Sequence, residues 1–577
     1  MVSEPSMHKG LGKRIQQMLW TGFDHFCEAF ADITRRAGAR FEQRDWSGMH
    51  RDTVERLDLY PKSVDATTAA LTSSLGSSAL QHKIWADAKV LFSRTCQQRC
   101  DAEIAATFYN SVYRKLFAAA GVDPELTFLV PPAAPLLETD AVRLFEADRR
   151  SLPQTVRTIL RHFGFQTPFA DLDEDARLCA FRIGELAASR GAQRQPLRLE
   201  MLGNPFFRDM SAYLVGRICW PKHQSPLVFS LDNGDKGLCV DAVLTTEEQL
   251  RVLFSFSRAY FHVQTQCPGA IVAWLKMLMP AKRSAEIYIG LGYHKHGKTE
   301  LYQDLVKHQQ VCSQDRFDFS PGKHGMVMVA FNMPNDDLIY KLIRDRFDRP
   351  KHTTARRVME KYDYIFKHDR AGRLVDVQTF ENLELEACCF TPELLDEIKT
   401  EACQAATVEN SRVILHHAYV ERRVMPLDLY LQQADTASAE AAVIDYGRAI
   451  KDLAQINIFP GDMLLKNFGV TQLGRVVFYD YDEVCPLLAC NFRKLPQSPR
   501  YEVALDPEPW FVVDEGDVFP EEFTAFLGLP PNLRQLFLKY HGDLLEPGFW
   551  QQVQEQIRTG TWHHLRPYSQ AQRLRHS

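Results

Sequence analysis

Apolar residues recur at helical spacing through the first fifth of the chain. Ile15, Leu19, Phe23, Phe26, Phe30 and Ile33 make one stripe. Ile84, Ala88 and Leu91 make a second, and Ile104, Phe108, Val112 and Leu116 a third. Helices are therefore predicted over residues 1–120, with the aromatic stripe as core. Gly121 and a proline-rich link at 130–135 close this part. Between 140 and 310 the period is mixed. Helices are predicted near 152–163 and 246–256. Strands at 226–231 and 238–240 are joined through the turn signals Asn233-Gly234 and Lys236-Gly237. From Asp315 the pattern becomes strand-like. Residues 316–320, 326–331 and 338–343 predict three antiparallel strands, with glycines in the first turn and Pro334–Asp337 in the second. Helix is predicted at 351–366, helix again across Glu381, Glu384 and Glu386, strand at 413–420, and a hinge at 421–426. A helix with Val443, Tyr446, Ile450 and Leu453 on one face then leads into 459–483. Helices at 520–527, 533–545 and 550–558 end the pattern, and the basic tail 561–577 reads as a solvated end.

Length and charge narrow the class. A chain of 577 residues is too long for one ordinary core, so two or more domains are expected. A formal net charge of −5 argues against bulk nucleic-acid binding. No apolar run reaches membrane-spanning length; the best candidate, 270–281, is broken by Lys276 and Pro280. The start lacks the apolar stretch of a signal peptide. Thirteen cysteines without zinc spacing point to reduced thiols in a cytoplasm.

The chemistry concentrates at 459–483. Asp462 and Asn467 stand five apart, and Asp480 closes the apolar run 476–479. Phosphoryl transfer from a nucleotide needs such a set: one carboxylate for the attacking hydroxyl, and an amide oxygen with a second carboxylate for the metal that bridges the phosphates. A turn at Gln472-Leu473-Gly474 lets two strands fold back and bring Asn467 toward Asp480. Upstream, Lys341 interrupts an apolar strand, which is costly without a charge partner; one of Glu381, Glu384 and Glu386 is expected to supply it. A second motif competes. Gly292–Thr299 fits G-x-x-x-x-G-K-[ST] between a predicted strand at 286–290 and a helix at 300–309. Its Tyr-His-Lys-His interior is bulky for a loop whose amides must wrap a phosphate, and a chance match is the favoured account. The order of strands, lysine, hinge, helix, catalytic loop and metal aspartate is that of an α+β, bilobal protein-kinase-like domain preceded by a mainly helical regulatory domain. The boundary is placed at 312/313, with an N-lobe over about 313–425 and a C-lobe over about 426–577.

Four motifs are long and specific: Ser320-Pro321-Gly322-Lys323-His324-Gly325-Met326-Val327-Met328, His368-Asp369-Arg370-x-Gly372-Arg373, Phe459-Pro460-Gly461-Asp462-Met463-Leu464, and Val476–Glu483. On these the chain resembles the bacterial isocitrate dehydrogenase kinase/phosphatase family over nearly its whole length. The resemblance implies a cytoplasmic bifunctional enzyme. It would use ATP and Mg²⁺ (or Mn²⁺) to phosphorylate a serine of NADP-dependent isocitrate dehydrogenase, turning that enzyme off and directing isocitrate to the glyoxylate bypass. It would also remove the phosphate and hydrolyse ATP, with AMP or ADP shifting the balance; a homodimer is compatible. It further implies that Ser320, Pro321, Gly322, Lys323, His324, Gly325 and Met326 bind ATP and that Lys341 contacts its phosphates. Asp462 becomes the catalytic acid, Asn467 and Asp480 the metal ligands, Lys466 a neighbour of the transferred group, Asp376 an active-site aspartate and Asp482 an acid of the phosphatase direction. Asp482, two residues beyond Asp480, is expected on the same face of an extended strand. The proline-interrupted segment 485–518 replaces a kinase activation segment and offers aromatics and acids to a protein partner. A small-molecule kinase of the same fold and a nucleotide-binding pseudokinase are the alternatives.

Overall fold

The computed structural model describes residues 4–118, 123–128, 141–148, 150–191, 196–221, 223–255, 260–311, 314–321, 325–347, 353–496 and 512–575. The link 130–135, Gly322, Lys323 and His324, and most of the segment after Pro496 lie outside that set. The chain divides into two compact units: Met1–Ser255 with Ala259–Lys307 and Arg566–Ser577, and a second centred on His308–Leu565.

The first unit begins with α1 (Glu4–Glu42), α2 (Trp46–Leu75), α3 (His82–Cys96) and α4 (Ala102–Leu116). The aromatic stripe does form their core: Phe23, Phe26, Phe92 and Phe108 are buried, and Trp20 stacks on Phe92. After β1 (Val142–Ala147), α5 (Leu152–His162) and α6 (Leu172–Ser189), the chain builds a sheet larger than the predicted hairpin. Strands β2 (Leu197–Leu202), β3 (Phe206–Arg208), β4 (Ser211–Trp220), β5 (His223–Gly234) and β6 (Gly237–Leu244) run antiparallel in the order β1-β2-β4-β5-β6, with β3 beside β4. Most of β4 and β5 is buried on both faces, so the two-residue alternation that announces a strand is missing there. Helices α7 (Glu247–Leu253), α8 (Pro268–Leu278), α9 (Ser284–Gly290) and α10 (His294–Val311) follow.

The basic tail is not a solvated end. Arg566 pairs with Asp232 (2.6 Å) and Asp241 (3.1 Å), Arg573 with Asp241 (2.8 Å) and Arg575 with Asp175 (2.6 Å). The three carboxylates are buried. A cation opposite each one offsets its desolvation, and this holds the tail in place.

The second unit carries a six-stranded antiparallel sheet and a helical part. Strands β7 (Asp318–Phe319), β8 (Met328–Asn332) and β9 (Leu338–Ile343) are the three predicted ones. Beyond α11 (Ala355–His368) come β10 (Val377–Glu386), α12 (Pro392–Glu401), β11 (Ala406–Val408) and β12 (Arg412–Arg422). The sheet order is β10-β12-β9-β8-β7, with β11 on β12. The stretch with Glu381, Glu384 and Glu386 is therefore a strand, not a helix. Its register against β12 places Glu384 beside Ile414, and its side chain pairs with Arg412. The expected hinge starts later than 421, because β12 continues through Glu421.

The helical part holds β13 (Met425–Pro426), α13 (Leu427–Gln433), α14 (Thr436–Gln455), β14 (Ile458–Phe459), β15 (Phe468–Val470), β16 (Val476–Phe478) and β17 (Cys485–Pro486). It ends with β18 (Asn491–Phe492), β19 (Asp517–Val518), α15 (Phe523–Phe526), α16 (Pro531–His541) and α17 (Pro547–Arg558). Val443, Tyr446, Ile450 and Leu453 of α14 are buried, as the periodicity predicts. Among the described residues no helix is long and apolar enough to cross a membrane.

Candidate active site

The loop between β14 and β15 is shaped by one close approach. Gly461 has φ +76°, and a Cβ there would stand 2.4 Å from the carbonyl oxygen of Glu483. Only glycine lets the loop lie against that backbone. The next residue, Asp462, is partly exposed, and its Oδ1 accepts from the Leu464 N–H at 3.1 Å, which fixes the carboxylate. Tyr446 donates its hydroxyl to the Met463 carbonyl. A single 3₁₀ turn, Leu465–Asn467, then buries Asn467, whose Nδ2 donates to the Asp462 carbonyl at 3.3 Å. The amide oxygen is left as the acceptor end of that side chain.

The hairpin of β15 and β16 brings the second acid back, as its turn predicts. Phe468 faces Phe478 in register, and the Tyr479 N–H donates to the Asn467 carbonyl at 3.1 Å. Asp480 is the next residue. Asn467 and Asp480 thus sit on adjoining backbone, a hard-oxygen pair of the kind that would hold a divalent cation such as Mg²⁺. Among the described residues no group of three or more His, Cys, Asp or Glu forms a dedicated metal cage.

Lys341 enters from β9. Its Nζ donates to the Tyr479 carbonyl at 3.1 Å and lies 2.6 Å from Glu421 Oε1. The partner is none of the three glutamates expected. Tyr419 faces Lys341 across the ladder, so Glu421, two residues on, is a diagonal neighbour on the same face. Burial pushes the Glu421 carboxyl up, Lys341 opposes this, and Asp480 adds to the rise. Lys341, Glu421 and Asp480 thus share one electrostatic field. Glu421 Oε2 is buried with no hydrogen-bond partner among the described residues.

The remaining residues fall around this centre. The Phe478 N–H donates to Arg373 O (2.7 Å) and the Val375 N–H to Phe478 O (3.2 Å), so Asp376 leaves the strand that precedes Asp480. Both Asp376 oxygens accept from Gln378 Nε2, at 3.0 and 2.9 Å. Asp482 is not on an extended strand. β16 ends at Phe478, Tyr481 turns inward to donate to Val375 O at 2.9 Å, and Asp482 lies in the following turn. The inward tyrosine breaks the alternation on which the shared face depended. Asp482 does stay close to the set, since it acts with Glu421 and Asp480 on the buried Tyr362 hydroxyl. Lys361 reaches the Asp482 carbonyl. Lys466 is exposed, and its carbonyl accepts from the Tyr479 hydroxyl. In the stretch expected to bind nucleotide, Ser320 N–H donates to Ala330 O at 3.0 Å and Gly325 O accepts from Arg344 Nε at 3.0 Å. Pro321 and Met326 are exposed. Gly322, Lys323 and His324 lie outside the described residues.

Two features escaped the sequence reading. Glu421 was hidden inside the expected hinge, although a lone acid closing the run Ala418-Tyr419-Val420 was its signal. The other is Arg373, buried and paired with Asp445 and Asp452 at 2.7 Å each. It also donates to Val476 O at 3.0 Å, while Asp445 accepts the Val476 N–H at 2.7 Å. The two acids, seven apart on one face of α14, clamp the start of the strand that ends near Asp480.

The competing motif loses its context. Residues 284–290 form helix α9, not a strand, and α10 begins at His294, so Lys298 lies inside a helix. Buried Ala285, Ile287, Tyr288 and Ile289 pack this short helix, although 286–290 alone reads as strand. Gly292 has φ +91° beside Arg56, so its glycine is required by packing.

Comparison with known proteins agrees with the geometry. The family described as isocitrate dehydrogenase kinase/phosphatase (AceK) kinase domain matches residues 315–570, and the corresponding regulatory domain matches 16–314. A protein of Anaeromyxobacter dehalogenans (strain 2CP-C) named isocitrate dehydrogenase kinase/phosphatase is 44% identical, covering 98% of each chain. One of Anaeromyxobacter sp. (strain Fw109-5) with the same name is 43% identical over 96% of each. Isocitrate dehydrogenase kinase/phosphatase 2 of Pseudoalteromonas translucida (strain TAC 125) is 37% identical over 98% of this chain and 99% of its own.

Proposed function

The chain belongs to the isocitrate dehydrogenase kinase/phosphatase family, and from that premise we propose that it moves a phosphoryl group between ATP and a serine of NADP-dependent isocitrate dehydrogenase, in both directions. The observation that carries this reading is the junction at Tyr479. One backbone unit there receives Lys341, is bonded to Asn467 and leads into Asp480.

Each residue then has a task. Lys341, held by Glu421, neutralises phosphate oxygens of the nucleotide. Asp462, fixed by the Leu464 amide, orients and accepts the proton of the attacking serine hydroxyl. Asn467 and Asp480 would hold Mg²⁺, which when bound offsets the charge on the bridging phosphates. Lys466 stands beside the transferred group, and Asp376 serves as a further active-site aspartate. Ser320 to Met326 cover the nucleotide. Asp482 orients water when phosphate is removed, and AMP or ADP favours that direction. ATP hydrolysis without the protein substrate follows when water replaces the serine. The reading includes a regulatory part over about 1–312, a catalytic part over about 313–577 and a cytoplasmic setting. No observation favours the small-molecule kinase or the pseudokinase, and the intact Lys341, Asp462, Asn467 and Asp480 speak against the latter.

The test is transfer in both directions with purified protein, Mg²⁺, labelled ATP and isocitrate dehydrogenase. Label should enter one serine and leave when AMP or ADP is supplied. Asp462→Ala should bind ATP yet transfer slower by about 10²–10⁴. ATP hydrolysis with no label on isocitrate dehydrogenase would overturn the substrate.

A further inference from the structure

Two thiols meet directly behind the catalytic loop. Cys485 Sγ and Cys490 Sγ are 3.5 Å apart. Cys485 is half-buried and Cys490 is buried. They bracket the 3₁₀ turn Leu487–Ala489. We propose that Cys485 and Cys490 form a reversible thiol–disulfide site, closed by a hydroperoxide, that slows phosphoryl transfer when oxidised. The activity part of this proposal rests on the function proposed above; the disulfide part does not.

Exposure separates the two roles, since the half-buried Cys485 is open to a peroxide and the buried Cys490 is not. The contact with the Cys490 sulfur and the nearby Lys361 ammonium favour the Cys485 thiolate, against burial and Glu483. The contact with Cys485 and burial push the Cys490 thiol up, and Cys490 Sγ also donates to the Pro486 carbonyl at 3.8 Å. Cys485 is thus the attacking thiol and Cys490 the resolving one. In the first step the Cys485 thiolate attacks the peroxide, an S–O bond forms, the O–O bond breaks and an alkoxide leaves. In the second, Cys490 sulfur attacks the sulfenic sulfur, the S–S bond forms and the S–O bond breaks. The Cys490 proton leaves with the hydroxide as water. In sum, two thiols and one hydroperoxide give a disulfide, an alcohol and water. A dithiol reverses the change by exchange.

The coupling to catalysis is through backbone. Closure takes the sulfurs from 3.5 Å to about 2.05 Å. Cys485 lies in register with Phe459 on β14, three residues before Asp462. Leu487 and Leu488 donate to Asn457 O and Oδ1, both at 3.0 Å. At the far end Gln554 Nε2 of α17 holds Leu487 O and Cys490 O, both at 2.8 Å. With that end anchored, closure draws on β17 and so on β14, which sets the position of Gly461 and Asp462.

The experiment treats the full chain with hydrogen peroxide, blocks free thiols and maps peptides by mass. The wild type should lose two hydrogens across Cys485 and Cys490 and regain them with dithiothreitol. Cys490→Ser should instead leave a sulfenic acid on Cys485 that dimedone traps. Transfer onto isocitrate dehydrogenase should fall about tenfold or more on oxidation and recover on reduction, while Cys485→Ser should keep most of its rate through the same treatment. Two free thiols at 485 and 490, under peroxide that oxidises other cysteines, would overturn the site. A disulfide with an unchanged rate would overturn its control of catalysis. A reduced wild type that never labels isocitrate dehydrogenase would count against the proposed function, and the mass arm would still decide this one.

Discussion

Lys341 Nζ sits 2.6 Å from Glu421 Oε1, and the glutamate stands on the neighbouring strand of the same sheet. A lysine and a glutamate on adjacent strands are fixed relative to each other by ladder hydrogen bonds. No helix has to swing in to complete the pair. The charge proposed to meet the nucleotide phosphates is therefore built in with the sheet.

Removing the glutamate exposes what it does. Lys341 is only 9% exposed, so Glu421→Ala leaves a buried cation without its ion-pair partner. A loss of about 3 kcal/mol is expected in urea unfolding of the catalytic part, with a raised KM for ATP. A change within 0.5 kcal/mol, on the order of a surface substitution, would mean that Lys341 is held by Tyr479 O instead.

Asp482 lies in the turn two residues beyond Asp480, and β16 ends before both, so its place does not depend on strand alternation. Asp482→Ala is expected to lose phosphatase rate by about 10² or more while kinase rate changes by less than about threefold. Parallel assays on free and phosphorylated isocitrate dehydrogenase read both. Equal losses in the two directions would make Asp482 a support of the metal site.

Lys298, the lysine of the G-x-x-x-x-G-K-[ST] match, lies within α10. Lys298→Ala is therefore expected to leave ATP affinity, measured by calorimetry, within about twofold. Loss of nucleotide binding would return the motif to consideration.

Burial raises the Glu103 carboxyl to about 7. Its folded value lies above the unfolded one, so the folded state holds the extra proton. The favourable contribution is complete below about pH 4 and is lost as pH rises through 7. Asp175 and Asp232, each raised to about 6 chiefly by burial, act in the same direction. The first unit should accordingly melt at a higher temperature at pH 5.5 than at pH 8. Glu103→Gln, which keeps the oxygen that accepts from Gly269 N–H at 3.0 Å, should shrink the difference. An unchanged pH dependence in the variant would assign it to other groups.

The parts legible in the sequence were those with local signals. Asp462, Asn467 and Asp480 could be read together because a turn and two short strands connect them within a few residues. The aromatic stripe of α1 could be read because helical period is local. Lys341 could be flagged because a charge inside an apolar strand is expensive, but its partner lay eighty residues away and depended on strand order. β10 was misread because its acids mask the alternation of Val377, Leu383 and Leu385. The tail was misread because basic residues near an end look solvated until three buried carboxylates, hundreds of residues upstream, are seen to need them.

That tail bears on how the protein is made. The ribosome finishes residues 1–307 of the first unit long before it reaches Arg566. At ~5–20 residues per second the wait is roughly 10–50 s. Through that time Asp175, Asp232 and Asp241 lack the guanidinium groups that later meet them. The earlier-synthesised unit is thus completed late, and its final ion pairs form only on chains translated past Arg575.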